Sequence, residues 1–370
     1  MSNGEKTDRL GNHVSIKTGK LDANSSSEDG IYPFFTCSRE PLSISSYSYD
    51  CECVLIAGNG DLNVKYYKGK FDAYQRTYII ESLNKNKLQT KFLYYFMEKN
   101  IGKLRDLSIG GIIKYIKLGN LTELSIPLFD FNKQQQIATT LDKASELIAL
   151  RKKQLEELDA LAESMFYDTF GDPVKNEKGW DVDILKNFGK VSTGNTPSRE
   201  EKKYYNDSYI EWIKSDNIMD EYMLLSQAKE YLSEEGSLKG RIAESGSILM
   251  TCIAGSLKSI GTVGVADRDV AFNQQINAIY PCKKVEKLYL YSMLKHSKRH
   301  IQSYASNGMK HLLNKSTLES IYFPYPPLSL QTRFASIIEK IEEQKALAKK
   351  ALQESEDLFQ RLMQDLFKPD

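Results

Sequence analysis

The sequence predicts an α+β chain in which two mixed-sheet domains are separated by two long helices that form an antiparallel coiled coil. Three observations predict it. The chain is internally duplicated, each copy opens with short β-branched and aromatic runs, and each closes with a long heptad segment free of Gly and Pro.

The duplication organises the whole chain. Lys91-Phe-Leu-Tyr-Tyr resembles Leu288-Tyr-Leu-Tyr-Ser, an offset of 197 residues from position 91 to position 288. At the same offset Gly111 falls on Gly308, Leu121 on Leu318, Pro127 on Pro324, Gln134 on Gln331 and Phe170 on Phe367. Upstream the register drifts. Val54-Leu-Ile matches Ile248-Leu-Met, Ala73-Tyr-Gln matches Ala271-Phe-Asn, and Leu10 to Gly19 matches Leu185 to Gly194.

The strand-like part of each copy holds Cys53-Val-Leu-Ile-Ala-Gly and Tyr74 to Ile80, then Ser247-Ile-Leu-Met-Thr and Ile276 to Tyr280. Such runs, bounded by Gly, Asn and Asp, predict a mixed, curved sheet with functional loops. A short helix is expected over Lys91 to Lys103, with its equivalent over Leu288 to Tyr304. The long helices follow. Ile137, Leu141, Ala144, Ile148, Leu155, Leu158, Ala162 and Met165 recur in steps of four and three, broken by Arg151. In the second copy Phe334, Ile338, Ile341, Ala348, Leu352, Phe359 and Leu362 do the same, with Lys345 and Ser355 as polar breaks. Each helix would run about 55 Å, and an apolar seam of that length needs a partner helix. The shared heptad register and the head-to-tail order of the copies predict that the two pair antiparallel.

Composition bounds the function classes. The 370 residues are 27% charged and 41% hydrophobic with mean hydropathy −0.45, which excludes a disordered tail protein and an integral membrane protein. The start, Met1 to Asp8, has no apolar stretch of a secretory signal, so a cytoplasmic location is expected. Five cysteines, an odd number, predict reduced thiols. The net charge is +1. Gln134–Phe170 and Gln331–Phe367 together carry 10 Lys+Arg against 14 Asp+Glu, leaving 40 against 35 elsewhere. Mildly basic domains on an acidic helical spacer suit a polyanion partner.

No catalytic or cofactor motif is found. The chain lacks a phosphate-binding Gly-rich loop, a nucleophile elbow, a zinc helix and the Asn-Pro-Pro-Tyr signature of amino-methyltransferases. Cys51 and Cys53, with Cys37 and His13 in the same copy, could hold zinc, but one Cys-X-Cys has no second pair and no equivalent in the second copy, so buried thiols are expected. His296 and His300 have metal-ligand spacing, but Lys295, Lys298 and Arg299 beside them point to a surface or phosphate-facing helix. Glu343-Gln-Lys345 reads as a solvated helix face. No metal and no cofactor is expected in this chain. What remains is recognition. The loops carry Asn59, Asn63, Lys65, Gln75 and Arg76 in the first copy, and Ser256, Lys258, Asn273, Gln274 and Gln275 in the second. Asn and Gln suit adenine edges and Arg suits guanine, while Lys and Ser mostly position phosphates.

In these features the chain resembles the specificity (S) subunit of type I restriction-modification systems. The resemblance rests on Gly194-Asn-Thr-Pro-Ser followed by Trp212-Ile-Lys-Ser-Asp-Asn-Ile, on Ala271-Phe-Asn-Gln-Gln, and on Gly308-Met-Lys-His-Leu followed by Pro324-Tyr-Pro-Pro. Gln331-Thr-Arg-Phe-Ala then opens the second long helix as Gln134-Gln-Gln-Ile-Ala opens the first. The first copy departs from the pattern: Gly19 is followed by Lys-Leu-Asp, and Tyr32-Pro-Phe-Phe-Thr stands where a Trp-Ile-Lys would.

The resemblance implies a first target-recognition domain at 1–131, a central spacer helix at 132–173, a second recognition domain at 174–328 and a C-terminal spacer helix at 329–370. It implies a non-catalytic subunit that reads a bipartite site in double-stranded DNA. Two methylation (M) subunits bearing S-adenosylmethionine would dock on the helices, with restriction (R) subunits added. Thr196 and Lys214 in the motifs, and Lys114 and Lys310 in the loops before each long helix, join the expected DNA contacts. The alternative with the same architecture is a coiled-coil adaptor whose sheet domains bind protein partners; a third is an enzyme with a non-standard site.

Overall fold

The computed structural model describes residues 7–306, 308 and 310–368, so Met309 of the Gly308 to Leu312 motif lies outside the described residues. The chain forms two compact units. One is Met1–Lys153 with Ala348–Asp370; the other is Gln154–Leu347. Each unit therefore takes one end of each long helix, Phe131–Phe170 and Leu328–Asp365.

In the first unit a six-stranded sheet runs in the order Val14–Thr18, Thr77–Ser82, Tyr49–Ala57, Val64–Ala73, Tyr32–Phe35, Leu42–Ile44. All neighbours are antiparallel except Tyr32–Phe35, which pairs parallel with Val64–Ala73 (Phe34 opposite Asp72, Phe35 opposite Ala73). The apolar run in Tyr49–Ala57 is continuous because both faces are covered. Val54 and Ile56 join Phe92 and Phe96 of helix Thr90–Asp106, while Cys53 and Leu55 join Phe35, Phe71 and Ile79 on the other side.

Heptad positions seal this unit. Ile137 and Leu141 share a core with Met363 and Phe367, and Phe367 stacks on Phe92 at 5.2 Å between ring centroids. Further along, the polar breaks meet. Arg151 Nε donates to Ser355 Oγ at 3.1 Å, and Lys152 pairs with Glu356. Ascending residues of one helix thus meet descending residues of the other, the antiparallel pairing expected.

The second unit repeats the plan with two four-stranded sheets. One orders Gly189–Thr193, Ile276–Pro281, Ile248–Thr251 and Val263–Val265; the other orders Tyr231–Leu232, Ile210–Ile213, Val270–Phe272 and Arg241–Ala243. Ile210–Ile213 pairs parallel with Val270–Phe272, as Tyr32–Phe35 does with its neighbour in the first unit. The expected helix over Leu288 to Tyr304 is two pieces, Lys287–His296 and Lys298–Gln302, split at Ser297. Phe166, Phe170, Tyr289 and Phe334 form its aromatic core.

At two residues the structure departs from the sequence expectation. Lys345 is not on a solvated face. It is buried on the heptad seam, where Asp159 and Glu342 each take a 2.7 Å bond from its ammonium. His296 does not face a phosphate either. Its ring lies 4.7 Å from that of Phe166 and 5.0 Å from that of Tyr167, and this burial pulls its pKa down to about 4.

The glutamines that open both long helices are latches. Gln134 Oε1 accepts from the Gln89 N–H at 2.9 Å, and its Nε2 donates to the Lys87 and Phe129 carbonyls at 2.8 Å. Gln331 Oε1 accepts from the Glu286 N–H at 2.9 Å, and its Nε2 donates to the Pro326 carbonyl at 2.8 Å. Both are buried, so each amide fixes where a long helix begins against the short helix before it.

Candidate nucleic-acid interface

The separated motifs of the second unit converge on one turn, Asn273-Gln274-Gln275, at the end of strand Val270–Phe272. The Asn273 N–H bonds the Ile213 carbonyl at 3.1 Å, which brings in Trp212-Ile-Lys. The Gly194 and Asn195 N–H groups bond Ile276 and Phe272, which brings in Gly194-Asn-Thr-Pro-Ser. Gly194 is needed there: a Cβ would sit 2.1 Å from the Asn273 carbonyl oxygen. Gly19 holds the equivalent place against Ala73 and Tyr74.

The first unit has the same turn in other residues. Tyr74 N–H bonds the Phe35 carbonyl at 2.9 Å, and Gly19 N–H bonds Thr77. Tyr32-Pro-Phe-Phe thus stands where Trp212-Ile-Lys stands in the second unit. The turn register differs by one residue from the sequence match. Tyr74-Gln75-Arg76 overlies Asn273-Gln274-Gln275, which sets Gln75 on Gln274 and Arg76 on Gln275.

Two further loops join each turn. In the first unit Gly58 N–H bonds the Arg76 carbonyl, Ile116 N–H bonds the Gly58 carbonyl, and Gly60 N–H bonds the Lys114 carbonyl. Asn59, Arg76 and Lys114 are thereby brought to one edge. In the second unit the Gln275 carbonyl accepts from the Cys252 and Ile253 N–H groups, and Ile253 pairs with Leu312. That gathers Ser256, Lys258 and the loop of Lys310. Gln275 and Lys258 line the same open cleft of about 450 Å³, with Ser215, Asp216 and Thr251.

Individual side chains differ in what they have free. Lys258, Lys310, Lys114, Arg76 and Gln274 are exposed. Gln274 accepts from Thr196 Oγ1, and Gln75 donates to Asp22 at 2.9 Å. Lys65 is turned inward onto the Ser38 carbonyl at 2.7 Å and onto Asn63, and burial lowers its pKa. Asn273 is buried, with its amide closed on Gln275 by two 3.0 Å bonds. Both hold the loops rather than face outward. Ser256 accepts from the Lys258 N–H at 3.3 Å and so shapes its own turn.

Lys214 is partnered by Glu230, which also takes Arg199 at 2.7 Å. The Lys214 bond, with that of Arg199, holds the Glu230 carboxyl below its ordinary pKa. Arg199 lies over the rings of Tyr205 and Trp212 at 4.5 and 4.7 Å. Sequence reasoning missed Arg199, although its place directly after Gly194-Asn-Thr-Pro-Ser was a usable signal. Among the described residues no group of His, Cys, Asp and Glu could hold a metal, and His13 pairs with Asp8 at 2.9 Å. All five cysteines are free, with Cys53 and Cys252 buried. No described helix is long and apolar enough to cross a membrane.

Two copies of one loop trio, each beside a parallel strand pair (Tyr32–Phe35 with Val64–Ala73, Ile210–Ile213 with Val270–Phe272), mark an internal duplication. The sequence matches the type I restriction modification DNA specificity domain twice, over residues 6–160 and 177–356. The chain belongs to that family. The matched domain is described as one of DNA specificity. It is 42% identical over 153 residues to the EcoDI specificity subunit of Escherichia coli, covering 41% of this chain and 34% of that one. It is 28% identical over 279 residues to the MjaIX specificity subunit of Methanocaldococcus jannaschii, covering 70% and 64%. The chain thus spans between a third and two thirds of the length of these relatives. The crystal structure of the type I restriction-modification S subunit from M. genitalium shares the fold with TM-score 0.67 and 17% identity, covering 100% of this chain and 98% of that one. A structure from work on complex assembly and conformational transition of the type I R-M system gives 0.58 and 16%, covering 100% and 98%.

Proposed function

We propose that the chain is the sequence-reading scaffold of a type I restriction-modification complex. Each recognition domain reads one half of a bipartite site in double-stranded DNA. The paired long helices dock two M subunits, which carry S-adenosylmethionine and methylate adenine, and R subunits add translocation and cleavage. The observation that carries this reading is the duplicated loop trio. Both units hold their loops by the same backbone bonds, yet present Gln75, Arg76, Asn59 and Lys114 in one and Gln274, Gln275, Lys258 and Lys310 in the other. A shared frame with different side chains is what reading two different half-sites requires.

Methylation-sensitive sequencing of the host genome with and without this gene tests the function as a whole. A bipartite motif should lose adenine methylation when the gene is deleted; an unchanged methylome rejects the proposal. Gln274→Ala tests the division of labour. It should relax preference at one half-site only, by about tenfold, the loss expected of one bidentate base contact. Equal loss on duplexes with either half-site scrambled would count against separate reading.

A further inference from the structure

We infer that the loop closed by Ile109 and Tyr115 is an apolar wedge that presses Ile112 and Ile113 against base surface inside a DNA groove. The inference rests on the reading of the chain as a DNA-binding subunit and adds a contact that polar readout does not supply.

The loop is a built frame. Ile109 and Tyr115 exchange both backbone hydrogen bonds, at 3.0 and 2.8 Å. Gly110 sits at φ +120, and a Cβ there would lie 2.5 Å from the Ile113 carbonyl oxygen, so the tip takes its shape only with glycine. Gly60 N–H holds the Lys114 carbonyl at 2.9 Å, which fixes the tip beside Asn59 and the Arg76 turn. On this frame Ile112 is fully exposed, at 103% of its reference surface, and Ile113 is 62% exposed. Two neighbouring β-branched side chains held in water by a pre-shaped loop gain most when something covers them.

The neighbours say what covers them. Arg76 and Lys114 have no ion-pair partner among the described residues, whereas Arg39 and Arg105 of the same unit both pair with Asp61. An occupant must therefore supply anionic groups and apolar surface within one loop's width. Duplex DNA does, through phosphates on the rim and, inside the groove, thymine methyl groups or the faces of unstacked bases. Both sources offer the same apolar chemistry to an isoleucine.

The test uses the full chain purified with its methylation subunit. The double variant Ile112→Ser/Ile113→Ser is compared with wild type and with Ile31→Ser, another isoleucine of this unit that is 79% exposed. Binding is read by fluorescence anisotropy on the recognised duplex and on duplexes with each thymine of the first half-site replaced by uracil. The tip variant should bind about three- to tenfold more weakly, with the Ile31 control unchanged. If wild type loses that factor on one uracil duplex and the variant does not, the contact is a thymine methyl. If uracil has no effect but 2-aminopurine in the half-site brightens on binding wild type and not the variant, the contact is a base face. Equal binding by variant and wild type, while wild type still discriminates the site, overturns the wedge and leaves DNA reading intact. So does a variant that keeps its DNA affinity but loses the methylation subunit. Failure of wild type to prefer any duplex overturns both readings.

Discussion

The two units use one backbone to hold two different turns. Tyr74 and Asn273 occupy the same place, each bonding the carbonyl of the parallel neighbouring strand, at 2.9 and 3.1 Å. In the second unit Asn273 is tied to Gln275 within the turn, and Gln274 is tethered to Thr196 in the segment after Gly194. In the first unit Gln75 is tethered to Asp22 and Arg76 is left without an ion-pair partner among the described residues. Position is set by main-chain bonds that any residue can make, so side chains can change without moving the loop. The same separation holds at the helices, where one unit has His296 and the other, at the matching position, Lys99.

That last difference gives the largest expected effect. The folded pKa of His296 lies near 4 against 6.5 for the free side chain. Between those values the unfolded chain takes up a proton that the folded chain refuses, so stability falls as pH drops from 6.5 and levels off below 4. The loss should reach about 3 kcal/mol at most. It belongs to the second unit only, because Lys99 instead reaches the Gln364 carbonyl at 3.5 Å. Trp180 and Trp212, the two tryptophans of the chain, both lie in the second unit and report on it. Their fluorescence should therefore show a lower urea midpoint at pH 4.5 than at pH 7, and His296→Phe should flatten that dependence. A midpoint equally acid-sensitive in the variant would reject the assignment.

The latches are next. Gln134→Ala strands one N–H and two carbonyls, whereas Gln331→Ala strands one N–H and one carbonyl. Buried groups left without partners cost about 1–3 kcal/mol, so both variants should lose around 2 kcal/mol, Gln134→Ala the more. Hydrogen exchange at the start of each long helix locates the damage. Loss confined to the mutated copy supports independent latches; equal loss in both copies would falsify that view.

How much of this was legible in the sequence follows from the kind of signal involved. Heptads are long and periodic, and Arg151 and Ser355, seen only as interruptions, turned out to answer each other across the helix pair. The duplication identified Gln134 and Gln331 as anchors but not as latches, because an amide's partners are backbone groups that leave no mark in sequence. The turn match slipped by one residue for a similar reason. Ala73 resembles Ala271 in letters, but strand pairing sets it opposite Phe35 as Phe272 is set opposite Ile213. Charge alone misjudged Lys345, which is buried, and His296, which is half-buried, both set among partners brought from distant segments. Asn273 and Lys65 carried the right chemistry for DNA, yet their polar atoms are used inside the protein.

The smallest effect separates those two kinds of lysine. Lys258 is exposed in a turn that Ser256 shapes and Gln302 Nε2 ties down through the Leu257 and Ile260 carbonyls, at 2.9 and 3.0 Å. Its ammonium is free to reach a phosphate. Lys258→Ala should weaken binding to cognate and scrambled duplexes by the same factor, and should reduce the slope of log affinity against log salt by about one. Lys65 bears the same charge at the edge of the other unit, but the Ser38 carbonyl and Asn63 already hold it. Lys65→Ala should leave the salt slope unchanged and act instead on stability, because the Ser38 carbonyl loses its donor. Titrations of both variants at several salt concentrations decide the matter. Equal slopes for the two would mean that inward and outward lysines cannot be told apart by their hydrogen bonds, and the division between frame and reading surface would have to be redrawn around Lys65.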